Sequence, residues 1–238
     1  MEKPKGKLYL IPTRLGDNPP LEVLPLSIKK IIESVNDYIV ENEKTARRFI
    51  KRISPKKSQS KLVIHILNKY TDSIELPAFL DACLKGKTVG LLSEAGCPGV
   101  ADPGADIVQL AHEKDIQVVP LVGPSSILLA LMSSGMNGQS FTFNGYLPID
   151  KSERKMELKR LERLSSEYKQ SQIFIETPYR NNKLLEDICG SLHVNTRVCV
   201  ACDITLPTEF IKTKTVKNWK STTVDLHKRP TIFIIHKD

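Results

Sequence analysis

Thr88-Val89-Gly90-Leu91-Leu92, followed without a break by Ser93-Glu94-Ala95-Gly96-Cys97-Pro98-Gly99-Val100-Ala101-Asp102-Pro103-Gly104, is the stretch that decides the fold. The first five residues form a short apolar run and read as a buried strand. The next twelve hold three Gly and two Pro, so the backbone can take left-handed angles and let a ligand come close. Asp102-Pro103 predicts a helix start, with Asp102 as N-cap and Ile107, Val108, Leu110 and Ala111 at helical spacing. Asp115 to Leu121 returns as a strand, and Gly123-Pro124-Ser125-Ser126 opens a further helix. Strand, glycine turn, helix, strand and turn form a ligand-gripping frame.

Working outward, strands alternate with helical segments throughout, the signature of α/β layering. Strands are expected at Leu8 to Ile11, Tyr38 to Val40, Leu62 to Ile66, Ile173 to Ile175, Val198 to Ala201 and Thr231 to Ile235. Helices are expected at Leu26 to Ile32, at Ala78 to Leu84 with Gly86 as C-terminal cap, at Lys151 to Tyr168 and at Asn182 to Cys189. Met156, Leu161, Leu164 and Tyr168 would form the inner side of the Lys151 helix. Turn residues at Val122-Gly123-Pro124 suggest a boundary, giving domains 1–121 and 122–238.

The chain has 238 residues and a net charge of +8, enough length for a sizeable core in one large or two small domains. Met1 to Lys7 is charged and no apolar run approaches a membrane span, so neither a targeting segment nor a membrane anchor is expected. Five cysteines with no disulfide-like framework favour a reducing cytoplasm. Cys199 and Cys202 sit three apart in a strand-like run, where side chains point to opposite faces, so buried structural cysteines are expected rather than a metal pair. The five histidines share no ligand spacing, and no metal is expected. Between Lys44 and Lys61 there are eight basic residues and no acidic one. That block suits a phosphate backbone, and the plainer reading is a solvated helix face followed by a Ser/Lys loop.

Five blocks in order resemble the tetrapyrrole methylase superfamily and, within it, the small-subunit rRNA (cytidine 2′-O) methyltransferase I family. They are Ile11-Pro12-Thr13-Arg14-Leu15-Gly16, the Ser93 to Gly104 turn, Val122-Gly123-Pro124-Ser125-Ser126, Asn144-Gly145-Tyr146-Leu147-Pro148 and Glu176-Thr177-Pro178-Tyr179-Arg180. The resemblance implies two α/β domains with S-adenosylmethionine in the cleft between them, a homodimer, and methyl transfer to a ribose 2′-hydroxyl of small-subunit rRNA. It implies that Pro12, Ser93, Glu94, Ala95 and Gly96 line the amino-acid and ribose parts of the cofactor. Ser125 and Ser126 would follow, though either also suits a helix cap, and Thr177, Ala201, Asp203, Pro230 and Thr231 would close around adenine.

On the acceptor side, Arg47, Arg48, Lys51 and Arg52 are candidate phosphate contacts, and Tyr146 suits either a stacked base or the core. The family's A-E-D-T-R block resembles Val40-Glu41-Asn42-Glu43-Lys44, where Glu41 alone keeps its place. Glu41 is therefore the candidate catalytic residue, expected to face the acceptor, and an ion pair with Arg47 or Arg48 is the structural alternative. Arg14 and Asp17 stand where Pro and Asn are usual. Two other functions stay open: a methyltransferase of the same fold acting on a small molecule such as a tetrapyrrole precursor, and a catalytically silent RNA-binding protein.

Overall fold

The computed structural model describes residues 4–238, and Met1-Glu2-Lys3 of the charged start lie outside them. The chain divides into two compact units, the first ending at Ser125 and the second beginning at Ser126. The sequence had suggested 121/122.

The first unit runs β1 (Lys7–Ile11), α1 (Pro20–Val23), α2 (Leu26–Ser34), β2 (Asp37–Val40), α3 (Glu43–Ile53), β3 (Val63–Ile66), α4 (Asp81–Leu84), β4 (Val89–Leu92), α5 (Gly104–Glu113) and β5 (Gln117–Pro120). Its five strands form one sheet in the order β3-β2-β4-β1-β5, and every pairing is parallel. A parallel sheet needs both faces covered, which is why central β4 is buried at every residue. On one face Ile28 and Ile32 of α2 and Ala46, Phe49, Ile50 and Ile53 of α3 pack on Ile11, Tyr38, Val40 and Leu92. On the other, Leu76, Phe79, Leu80 and Cys83 join Ile107 and Ala111 of α5 against Leu8, Ile39, Val89 and Leu91. The alternation along each strand divides its side chains between the two cores. The helix expected at Ala78 to Leu84 is a 3-10 stretch, Ser73–Leu80, running into the short α4. Pro77 sits inside it without an amide hydrogen, and Gly86 ends it at φ +80°.

The second unit runs α6 (Ser126–Ser134), β6 (Phe141–Tyr146), α7 (Lys151–Tyr168), β7 (Ser171–Ile175), α8 (Asn181–Ser191), β8 (Arg197–Cys202), β9 (Phe210–Thr215), α9 (Val216–Trp219) and β10 (Thr231–His236). Its sheet has the order β6-β7-β10-β8-β9, parallel between β6 and β7 and antiparallel elsewhere. Sequence reading missed β6 and β9, the two edges, because edge strands bury little and lack an apolar run. In β9 exposed Lys212 guards the open edge. Leu158 and Leu161 of α7 and Leu184, Leu185 and Ile188 of α8 enclose Phe174, Val198, Val200, Cys202 and Phe233. Cys202 is in this core, whereas Cys199 alternates to the other face of β8 and is also buried.

The inner side of α7 differs from the expected one. Met156 and Tyr168 are exposed, and the helix turns Arg154, Leu158, Leu161 and Ser165 inward. Arg154 is there because it has a fixed partner. Its Nε and Nη2 donate to Asp187 Oδ2 at 2.9 and 2.6 Å, and Nη1 donates to the carbonyls of Pro148 and Ile149. Both side chains are more than nine-tenths buried, so the pair is sheltered from water and removal of one partner strands the other. Asp187→Ala is expected to destabilise the protein by about 3–5 kcal/mol. Urea denaturation followed by circular dichroism checks this, and a loss below about 1 kcal/mol would class the pair with solvent-screened surface bridges.

Candidate active site

The connections of the first sheet define where a ligand can sit. The chain leaves β1 for β2 and then β3 on one side, returns to β4, and leaves it for β5 on the other side of β1. β1 and β4 are neighbours whose outgoing connections run in opposite directions. In an open α/β sheet that switch point leaves a crevice at the carboxyl ends of the strands. Pro12 to Gly16 after β1, Ser93 to Gly104 after β4 and Leu121 to Ser125 after β5 are the loops that border it.

Two glycines allow these loops to touch. The Thr13 amide donates to the Gly96 carbonyl at 2.9 Å, and Ser93 Oγ donates to the same oxygen at 2.9 Å. Gly96 holds φ +76°, and a Cβ there would lie 3.2 Å from Leu15 Cδ2 and 3.3 Å from the Pro124 oxygen. A Gly96→Val change therefore strains the turn itself as well as obstructing a ligand. At Gly123 a Cβ would lie 2.2 Å from Pro12 Cβ, so only glycine lets the end of β5 meet the end of β1. Asp102 is not the N-cap of α5, a position held by Pro103. Its Oδ1 accepts from the amides of Gly99 and Gly104, both at 2.8 Å, and pins the two ends of the turn together.

Carboxylates collect at the ends of β2 and β4. Glu41 Oε1 accepts from the Glu94 amide at 3.3 Å, and Glu94 Oε1 accepts from Thr45 Oγ1 at 2.7 Å. Glu41 thus reaches the β4 turn, and the alternative, an ion pair with Arg47 or Arg48, is not formed. Burial raises the pKa of Glu41, the Glu94 amide opposes that, and the charges of Asp102 and Glu94 add to it. Asn42 caps α3, its Oδ1 accepting from the amides of Lys44 and Thr45. The signal for this cap, Asn before a helical apolar period, was in the sequence and was missed.

The basic block proves to be several different things. Arg47 is held by Glu43 and by the Gln59 carbonyl, both at 2.7 Å, and is structural. Lys57 donates to the Glu33 carbonyl and to Asn36. Arg52 pairs with Asp17 at 2.6 Å, and Asp17 also binds Arg14 at 2.7 Å. Arg48 and Lys51 are exposed and carry no ion pair among the described residues.

In the second unit, Asp203 does not offer a free carboxylate. Its Oδ2 accepts from Arg229 Nε at 2.8 Å and from Thr208 Oγ1 at 2.9 Å, and its amide donates to the Pro230 carbonyl. Ala201 is fully buried within β8 and presents no surface to a ligand. Thr231 is buried and donates to the Arg229 carbonyl, Thr177 is half-buried, and Pro230 is exposed. Tyr146 is 62% exposed, which removes the core reading. Ser126 is the first residue of α6.

A parallel sheet with a glycine-lined switch-point crevice defines an α/β protein built to hold a small ligand. The chain belongs to the tetrapyrrole (corrin/porphyrin) methylase family, whose profile matches residues 22–219. It is 31% identical to the ribosomal RNA small subunit methyltransferase I of Halalkalibacterium halodurans over 80% of this chain and 63% of that protein, so it spans under two thirds of that relative's length. The methyltransferase CobJ superposes with a TM-score of 0.63 and 16% identity over 98% of this chain and 94% of that one. Uroporphyrin-III C-methyl transferase from Thermus thermophilus, in complex with S-adenyl homocysteine, gives 0.59 and 14% over 98% of both chains. These two likenesses establish the fold. No helix of the described residues is long and apolar enough to cross a membrane.

The Glu41 carboxyl gives a test that needs no ligand. Its folded pKa lies above the ordinary value of 4.5, so the native state holds that proton more tightly than the unfolded chain. Its contribution to stability is complete below about 4.5 and is lost as pH rises through the folded value. Glu41→Gln keeps an acceptor for the Glu94 amide and cannot ionise. Urea stability compared at pH 4 and pH 8 is expected to shift in favour of the variant at the higher pH. A gap that does not move with pH would show Glu41 to be ordinarily solvated.

Proposed function

We propose that this chain transfers a methyl group from S-adenosylmethionine to small-subunit ribosomal RNA, at a ribose 2′-hydroxyl. One observation carries the choice of substrate: the relative at 31% identity is an rRNA methyltransferase, whereas the tetrapyrrole enzymes named above share only 14–16% and speak to fold alone. The exposed cations Arg48 and Lys51 of α3, the first of which lines a cavity with the β1 and β4 loops, favour the same choice. Residence in the cytoplasm and a homodimeric state belong to this proposal.

The crevice fits the cofactor. The contact between Gly123 and Pro12 and the left-handed turn at Gly96 bare backbone where a ligand can approach, and buried Thr13 Oγ1 has no partner within the protein. The carboxylates of Glu94 and Asp102 suit a cationic ligand. Pro12, Ser93, Glu94, Ala95 and Gly96 are proposed to hold it. When bound, S-adenosylmethionine supplies a methyl already activated by its sulfonium, and the protein has to orient the acceptor, keep water out and manage one proton.

Glu41 is proposed to manage that proton. A ribose hydroxyl is a weak nucleophile, and a positioned base adds roughly 10²–10⁴-fold. The raised pKa of Glu41 makes its carboxylate a stronger base than an ordinary one. The acceptor hydroxyl loses its proton to Glu41 as its oxygen takes the methyl.

Titration calorimetry with S-adenosylhomocysteine is expected to find one site per chain, and no heat from folded protein would overturn the cofactor assignment. With labelled cofactor and small ribosomal subunits from a strain lacking the modification, label is expected in the RNA. Cofactor binding with no label in RNA would favour a small-molecule acceptor. Glu41→Gln is expected to keep cofactor affinity and to lower the single-turnover rate at least tenfold, about 1.4 kcal/mol of transition-state stabilisation. A normal rate would remove Glu41 from the mechanism.

A further inference from the structure

Within the first unit lies a cavity of about 330 Å³ that Ser93 and Glu94 of the β4 turn border on one part and Arg14, Asp17, Arg48, Phe49 and Arg52 on another. Three guanidinium groups therefore come from two separate places in the chain, the loop after β1 and the outer part of α3. One carboxylate, Asp17, holds two of them through a single oxygen, Oδ1, at 2.7 Å from Arg14 and 2.6 Å from Arg52. The Asp17 side chain is 79% exposed, whereas that of Arg14 is 16% exposed. The acid sits on the solvent side of a largely desolvated cation. Arg14 is further fixed by donating to the Asn18 carbonyl at 2.5 Å, so its position does not depend on Asp17 alone.

Guanidinium groups bind phosphate in a two-pronged manner, and an exposed carboxylate that occupies them can be exchanged for a better anion. Phe49 supplies an apolar surface in the same cavity. We propose that the arginine-lined part of this cavity, next to the cofactor residues Ser93 and Glu94, receives one nucleotide of the RNA acceptor, whose phosphodiester takes the place of Asp17 on Arg14 and Arg52. The assignment rests on the RNA reading above and makes Asp17 a built-in competitor that tunes affinity.

Fluorescence anisotropy of a labelled ten-nucleotide single-stranded RNA, titrated at several salt concentrations against the full chain, tests the proposal. Asp17→Asn is expected to bind three- to tenfold more tightly than wild type. Arg52→Gln is expected to bind three- to tenfold more weakly and to flatten the slope of log K against log salt by about 0.7. Glu75→Gln adds the same charge on an exposed stretch elsewhere in the unit and is expected to stay within twofold of wild type. If Asp17→Asn gains no more than Glu75→Gln while wild type binds RNA, the cavity assignment falls and the RNA reading stands. If wild type binds no RNA at low salt, both fall.

Discussion

The contact on which the site depends is the one between Gly123 and Pro12. A side chain at position 123 would overlap the Pro12 ring, and separating the two would pull the end of β5 from the end of β1. The neighbouring link, from the Thr13 amide to the Gly96 carbonyl, binds the β1 loop to the β4 loop in the same region. Together they close three strand ends into one rim at the point where the chain reverses its direction across the sheet. Side chains would fill that rim, and glycine leaves it open to a ligand.

Electrostatics divides the rim into two regions of opposite sign. Glu41, Glu94 and Asp102 gather on the crevice, and partial burial, with the neighbouring charges adding to it, holds the Glu41 proton more tightly than usual. Arg14, Arg48 and Arg52 line a cavity that Glu94 also borders. The proposed cationic cofactor and anionic acceptor make opposite demands, and the ends of β2 and β4 carry the acids while the β1 loop and α3 carry the arginines. Asp17 ties the β1 loop to α3, since its carboxylate holds Arg14 three positions before it and Arg52 35 positions after it. Arg14 and Asp17, the two residues of the first turn that depart from the family pattern, are themselves an ion pair.

The second unit is stabilised differently. An apolar core of sixteen buried residues lies on one side of its sheet, and a buried Arg154–Asp187 pair ties α7 to α8. At its strand ends Asp203 is committed to Arg229 and Thr208. Polar side chains that a sequence motif marks as ligands are in this unit busy holding the loops that carry them.

The sequence by itself determined the α/β class, the buried strands and the glycine turn after β4. Those are local properties: apolar runs of strand length, helical periodicity, and residues that alone accept left-handed angles. It also marked Glu41 and the basic block as chemically interesting. Only the tertiary structure decided which charges are free. Arg47, Arg52 and Lys57 look alike in the sequence, yet the first is spent on Glu43, the second shared with Asp17 and the third anchored to a helix end. Arg154 on the inner side of α7 could not be read from the helix either, because its partner comes from another helix 33 residues on. Edge strands β6 and β9 were invisible for a related reason, since their place is fixed by neighbours and not by their own composition. Periodicity records what a residue does within its own turn of chain, whereas charge pairing and edge pairing depend on what the fold brings opposite it.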